Sequence, residues 1–182
     1  MKTRSLHVKS LHTVKKGLVF NMSIIELAIS MEKDLENFYL EQAELNKHNN
    51  LNVVFTLLAK EEENHRKILE QNSEKLSLSL EDSDILKEVK PLFKDLQNIR
   101  SEIKDIPSQL DVYRVALEKE EESVKFYKGF LNDNPNQQHK TVFNYLVKQE
   151  EKHCVILEEL IKLVTRPEEW VESAEFGDRE DY

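Results

Sequence analysis

The chain has 182 residues, of which 39% are hydrophobic and 34% charged, and it carries a net charge of −9. Such a composition suits one helical globular domain, and with 3 Gly and 4 Pro there is little scope for a turn-rich β architecture. Lys2, Arg4, Lys9, Lys15 and Lys16 all precede Met22, so from there on 21 basic residues face 35 acidic ones, which argues against nucleic acid and anionic membranes as partners. No apolar run approaches the ~18 residues of a membrane span. The single cysteine, Cys154, permits no intramolecular disulfide and fits a cytoplasmic location.

Residues 1–21 are basic and acid-free, and Gly17-Leu18-Val19-Phe20 is too short for a signal-peptide apolar region. They read as a poorly ordered extension ahead of a domain over residues 22–165, either an overlong translation start with Met22 as the natural beginning or, as the alternative, a transit peptide. A first helix is expected from Ser23, where Ser23-x-x-Glu26 forms a capping box, to about Lys47, followed by a turn at His48-Asn49-Asn50. A second should run from Leu51 to about Ser77. About thirty residues then separate it from a third helix, predicted to begin at Ser108 after Pro107 and to reach about Leu131. Within that connection Leu92, Phe93, Leu96, Ile99 and Ile103 have helical spacing and predict a short crossover helix. Asn134-Pro135 should open a fourth helix ending near Thr165. A short helical tail, 166–182, would be anchored by Trp170 and Phe176. A helix of ~26 residues is ~39 Å long, so the long connection can travel its full length. The expected fold is therefore an all-α four-helix bundle in up-down-down-up order.

The second and fourth helices repeat one pattern at an offset of 88 residues. Val54, Phe55, Leu58, Lys60, Glu62, Glu63, His65, Ile68, Leu69 and Glu70 recur as Val142, Phe143, Leu146, Lys148, Glu150, Glu151, His153, Ile156, Leu157 and Glu158. The same offset superposes Ala28, Glu32, Phe38 and Tyr39 on Ala116, Glu120, Phe126 and Tyr127. Residues 28–70 and their counterparts share fifteen identities in 43 positions, where chance gives roughly two or three. The chain contains an internal duplication.

On a helix, the duplication places Phe55, Leu58, Glu62, His65 and Leu69 along one face, and Phe143, Leu146, Glu150, His153 and Leu157 along another. Glu32 and Glu120 occupy the middle of two further apolar stripes, ending at Tyr39 and Tyr127. Four buried carboxylates need counter-charges, and no Lys or Arg lies on these stripes. Two divalent cations would cancel their charge. One Glu from each of two helices plus Glu-x-x-His from each of the other two is a dinuclear carboxylate site. Oxygen-rich ligation with one imidazole per metal suits iron or manganese better than zinc or copper, although zinc could also occupy it. The repeat also sets the register: a ligand four residues before the histidine would be Glu61, whose counterpart is Gln149, a poor ligand. Cys154 lies about 100° round the helix from His153, away from the cluster. Tyr39 and Tyr127 lean back toward the metals, which suits a hydrogen bond to a carboxylate and a part in electron transfer. His7, His12, His48 and His139 have no partner under the repeat and read as surface residues.

Met31-Glu32-Lys33 with Phe38-Tyr39, Glu61-Glu62-Glu63-Asn64-His65 and Glu150-Glu151-Lys152-His153 resemble the helix signatures of the rubrerythrin-like branch of the ferritin-like superfamily. The resemblance covers about residues 22–165, and the ending from Pro167 to Phe176 is similar to that of the short members without a rubredoxin domain. It implies two iron ions bridged by Glu62 and Glu150, with Glu32 and Glu120 as terminal ligands and one of His65 and His153 on each metal. It further implies a peroxidase-type oxidoreductase of oxidative-stress defence that reduces hydrogen peroxide or dioxygen. The expected partners are an external electron donor such as a rubredoxin-type protein and a second copy in a homodimer. Two alternatives stand beside this: an iron-handling ferroxidase, and a structural protein with a non-catalytic metal site. One departure concerns the metals directly. Ser123 stands where rubrerythrins often have a further glutamate, the usual competitor of histidine as iron changes oxidation state.

Overall fold

The computed structural model describes residues 23–73, 80–96, 103, 106–133 and 136–165. The described residues form five α-helices: α1 (Ile24–Leu45), α2 (Leu51–Ser73), α3 (Ile85–Asp95), α4 (Ile106–Asp133) and α5 (Gln137–Thr165). There is no strand among the described residues. None of these helices is long and apolar enough to cross a membrane.

The expected capping box opens α1: Glu26 N–H donates to Ser23 Oγ (3.1 Å), and Ser23 N–H donates to Glu26 Oε2 (2.6 Å). The helix ends two residues before the expected Lys47, because Asn46 caps it: the Asn46 backbone N–H and side-chain amide both donate to Gln42 O. Asn49 Oδ1 then accepts from Leu51 N–H, and Asn52 Nδ2 donates back to Ala43 O, which closes the tight turn into α2. The described part of α2 ends at Ser73, so the expected end at Ser77 lies outside the described residues.

Two helix starts differ from expectation. α4 begins at Ile106 and takes Pro107 into its first turn, where a missing N–H costs no hydrogen bond, so Ser108 is inside the helix and not its cap. α5 is capped by Asn136, whose Oδ1 accepts from Gln138 N–H (2.9 Å) and His139 N–H (3.3 Å); Asn134-Pro135 lies outside the described residues. The crossover helix α3 starts earlier than Leu92. Ile85 and Val89 form its buried face and Leu96, just past its end, is buried with them; Leu92, Phe93 and Ile103 pack beside them, while Ile99 lies outside the described residues. Pro91 sits inside α3 and forgoes the bond to the carbonyl four residues back. The extension 1–21 and the tail with Trp170 and Phe176 also lie outside the described residues.

Helix direction can be read from two apolar clusters. One gathers Leu35, Tyr39 and Ala43 late in α1, Leu51 to Ala59 early in α2, Tyr113 and Ala116 early in α4, and Ile156 to Val164 late in α5. The other gathers Ala28, Leu69, Tyr127 and Val142 to Val147, from the opposite ends of the same helices. Thus α1 and α5 run one way and α2 and α4 the other, the up-down-down-up order of a ferritin-like bundle. α1 packs along α2 and α4 along α5, while α3 joins the first cluster and lies on α5 and α2. Glu32, Glu62, Glu120 and Glu150 each fall between the two clusters in their helices. They form a buried polar belt across the middle of the bundle.

Candidate metal centre

The belt consists of Glu32, Glu62, His65, Glu120, Glu150 and His153, all six fully buried. His65 Nδ1 lies 3.0 Å from Glu150 Oε1, 3.4 Å from Glu62 Oε2 and 3.6 Å from Glu32 Oε2. His153 Nδ1 lies 2.9 Å from Glu62 Oε1, 3.4 Å from Glu150 Oε2 and 3.6 Å from Glu120 Oε1. The 88-residue shift maps one set of distances onto the other to within 0.1 Å. There are therefore two nests of four groups, related by a pseudo-two-fold axis. Glu62 and Glu150 belong to both, each turning one oxygen toward His65 and the other toward His153. The two imidazoles stack with centroids 5.3 Å apart.

The shortest of these approaches, 2.9 and 3.0 Å, have hydrogen-bond length, yet neither is a hydrogen bond. Both nitrogens of each imidazole, and both oxygens of Glu62 and of Glu150, have no hydrogen-bond partner; neither do Glu32 Oε2 and Glu120 Oε2. Buried polar atoms are ordinarily paired, because leaving one unmade costs about 1–3 kcal/mol. A cluster of orphans converging on two points has the shape of a coordination sphere. Donors about 2.1 Å from a common octahedral centre are about 3.0 Å apart along the edges, close to the separations here. Glu62, His65, Glu150 and His153 offer donor atoms within 4.8 Å of one another, so this buried cluster could hold metal. The donor set of carboxylate oxygens with one imidazole per nest fits iron or manganese.

Without a metal the cluster balances its charge with protons. Burial, and then the charge of Glu150, push the Glu62 carboxyl well above its usual range, and burial pushes Glu120 up to about 7. Burial acts in the same direction on Glu32 and Glu150, but the nearby imidazoles outweigh it and both stay below the usual carboxylate value. Burial alone would lower His65 and His153. The surrounding carboxylates, led by Glu150 and Glu62 respectively, raise both well above the ordinary histidine value instead.

The two remaining carboxylate oxygens are taken by phenols, in a crossed arrangement. Tyr39 donates to Glu120 Oε1 on α4, and Tyr127 donates to Glu32 Oε1 on α1. Helical side chains lean toward their own N-terminus, so Glu32 leans away from Tyr39 and toward the end of the bundle where Tyr127 sits. Glu120, on a helix of opposite direction, leans toward Tyr39. Burial and these carboxylates push both phenols well above their ordinary pKa, so they remain donors.

Sequence reasoning did not foresee how the crossover is tied to this region. Lys152 Nζ donates to Asp82 Oδ1 (2.7 Å) and to Ser83 O (2.6 Å), Gln149 Nε2 donates to Asp82 Oδ1 (2.9 Å), and Tyr145 donates to Glu81 O (2.9 Å). The Tyr145 ring also meets His65 edge-on, at 6.4 Å between centroids. Residues 81–83 thus strap the start of the crossover onto α5 beside the belt. A signal existed in the repeat: Tyr145, Gln149 and Lys152 correspond to Leu57, Glu61 and Asn64, so only the α5 copy carries the anchors. Replacing Asp82 with Ala and Lys152 with Met together is expected to speed amide exchange in α3 by roughly tenfold while α1 keeps its protection, as local opening would. Equal exchange in variant and parent would show that the strap holds nothing.

Cys154 is half-buried, and burial pushes its thiol up to about 12, an inert group as expected. His48 is exposed and His139 partly buried, both away from the belt; His7 and His12 lie outside the described residues.

A carboxylate and histidine belt midway along an up-down-down-up bundle defines a ferritin-like protein with a buried cluster that could hold metal. The family model described as Rubrerythrin matches residues 23–161, and the chain belongs to the rubrerythrin family. Comparison with curated proteins and with solved structures gives no match.

Proposed function

We propose that this protein is a di-iron oxidoreductase that reduces hydrogen peroxide or dioxygen with electrons from an external donor. The observation that carries this reading is the pair of nests sharing Glu62 and Glu150. In this reading Glu62 and Glu150 would be shared between two irons, Glu32 and His65 would hold one of them, and Glu120 and His153 the other. Two divalent cations neutralise four carboxylates, which removes the need for the extra protons of the metal-free cluster. The bound pair would supply the electrons for two-electron reduction of an oxygen–oxygen bond.

The protein's own groups supply the rest. Tyr39 and Tyr127 hold Glu120 and Glu32 by one oxygen each, which fixes those carboxylates while leaving their second oxygens free to bind. Above and below the belt, Phe55, Leu58, Leu69, Phe143, Leu146 and Leu157 exclude bulk water. Tyr145 closes the side of His65. A rubredoxin-type protein is a fitting donor, a homodimer a fitting assembly, and the cytoplasm a fitting location.

The test is peroxide-dependent oxidation of the anaerobically reduced, iron-loaded protein, followed by absorbance in stopped flow. We expect oxidation far faster than that of free ferrous ion, with the iron retained by the protein. Oxidation no faster than free ferrous ion rules the peroxidase reading out. Rapid oxidation by dioxygen alone, with iron released to a mineral core, favours iron handling instead.

A further inference from the structure

All six belt side chains are fully buried, so a small oxidant has to pass a wall to reach them. The repeat makes two equivalent faces along the groove between α2 and α5, and the crossover treats them differently. On one face Leu57 packs against the cluster that holds Ile85 and Val89 of α3. There Ile156 is 1% exposed, and Lys152 is held by Asp82 and Ser83. Under the 88-residue shift the counterparts of Leu57, Ile156 and Lys152 on the other face are Tyr145, Ile68 and Asn64. Ile68 is only partly buried there, and Asn64 is exposed.

That second face carries a surface pocket of about 350 Å³, lined by Asn64, Lys67, Ile68, Gln71, Glu81 and Tyr145. A water takes up about 30 Å³ of liquid volume, so the pocket has room for several small molecules. Tyr145 belongs to the pocket and to the belt at once. Its ring lines the pocket and meets His65 edge-on, with centroids 6.4 Å apart, a contact distance for such a pair. At this point one ring lies between the pocket and a belt histidine. The ring is held from outside, because Tyr145 O–H donates to Glu81 O (2.9 Å) on the strapped crossover. A hydrogen bond to an exposed loop adds little net stability, so releasing the ring costs little.

The lining suits hydrogen peroxide better than dioxygen. The amides of Asn64 and Gln71 and the Tyr145 hydroxyl offer hydrogen bonds to a small uncharged polar molecule. The charge of Lys67 is already met by Glu63, at 2.6 Å. We propose that this pocket is the vestibule through which hydrogen peroxide reaches the centre, with Tyr145 as the gate on the His65 side. The bond from Tyr145 to Glu81 is the latch, and α3 seals the matching entrance beside Leu57. This proposal rests on the peroxide-reducing reading above.

Entry is measured first without redox chemistry, as uptake of cobalt(II) by the full-length, metal-free protein, followed by its visible absorption. Tyr145→Phe keeps the ring and loses the latch, so uptake should quicken roughly threefold to tenfold, the loss of one hydrogen bond. Tyr145→Ala should quicken it by roughly tenfold or more, with the final cobalt content unchanged. Leu57→Ala, the matching cut on the sealed face, should leave the rate as it is. In the iron-loaded, anaerobically reduced protein, Gln71→Trp fills the vestibule and should slow oxidation by peroxide roughly fivefold. Val155→Trp, at an exposed site outside the pocket, should not. Cobalt uptake by both Tyr145 variants within about twofold of the parent, or equal acceleration by Leu57→Ala, overturns the gate. Peroxide oxidation untouched by Gln71→Trp overturns the vestibule. If the parent takes up cobalt but its iron is oxidised no faster than free ferrous ion, the peroxidase reading falls, and the uptake rates alone decide the gate.

Discussion

Replacing Glu62 and Glu150 together with glutamine should abolish two-metal binding while leaving the helices in place. Of the six belt residues, these two belong to both nests, each turning one oxygen toward each histidine. Glutamine keeps the volume and one carbonyl oxygen but removes the charge that a divalent cation needs. Metal affinity should fall by more than about a hundredfold, beyond what losing a supporting contact costs. Glu32→Gln is the control: it touches the His65 nest alone, so it should weaken one site and spare the other. Elemental analysis after equilibrium dialysis, alongside circular dichroism, checks these expectations. If the double variant still binds two metals per chain, sharing by Glu62 and Glu150 is wrong.

The parts of this architecture that were legible in the sequence are those that physics makes periodic. Glu62 and His65 could be placed on a buried face because Phe55, Leu58 and Leu69 surround them at helical spacing, and the repeat at Glu150 and His153 removed the choice of register. Chain direction followed from loop lengths, since a long crossover can reverse the simple meander. What was not legible depends on neighbours that no local pattern encodes. The crossed Tyr39–Glu120 and Tyr127–Glu32 bonds arise only once two antiparallel helices face each other, because each glutamate leans away from the tyrosine of its own helix. The strap through Asp82 escaped notice because a short acidic loop has no period at all. Gln149, set aside as a poor ligand, is fully buried and bonds to that loop. α5 opens at Gln137 with Asn136 as its cap, a role that the Asn134-Pro135 pair hid because asparagine before a proline is itself a strong start signal.

Stripped of metal, the protein should lose heat stability as pH rises from 6 to 9, and metal should restore it. His65 and His153 hold their protons well above the ordinary value of 6.5 when folded, so their stabilisation is complete below that value and is lost as pH climbs through the folded pKa. Glu120 titrates near 7 when folded against 4.5 as a free side chain, so its penalty grows between those values and is complete above 7. Glu62, raised further, acts in the same sense. Glu32 and Glu150 are depressed and act oppositely, but their stabilisation is already complete above 4.5 and is lost only toward acid. Across the range from 6 to 9 the folded, metal-free state therefore binds more protons than the unfolded chain, and the slope of stability with pH is negative. Metal displaces those protons, so its affinity should rise with pH and its binding should release protons to the buffer. At a free concentration a thousandfold above its dissociation constant, each metal adds about 4 kcal/mol, and two should lift Tm by roughly 15–30 °C for a domain of this size. Scanning calorimetry across pH, with and without metal, measures the slope, and titration calorimetry in buffers of different ionisation enthalpy counts the protons. The Glu62→Gln/Glu150→Gln variant should show a shallower slope, because it lacks the charges that hold the imidazole protons. A metal-free melting temperature that climbs between pH 6 and 9, or metal binding that releases no protons, would mean that protons and metal do not compete for this belt.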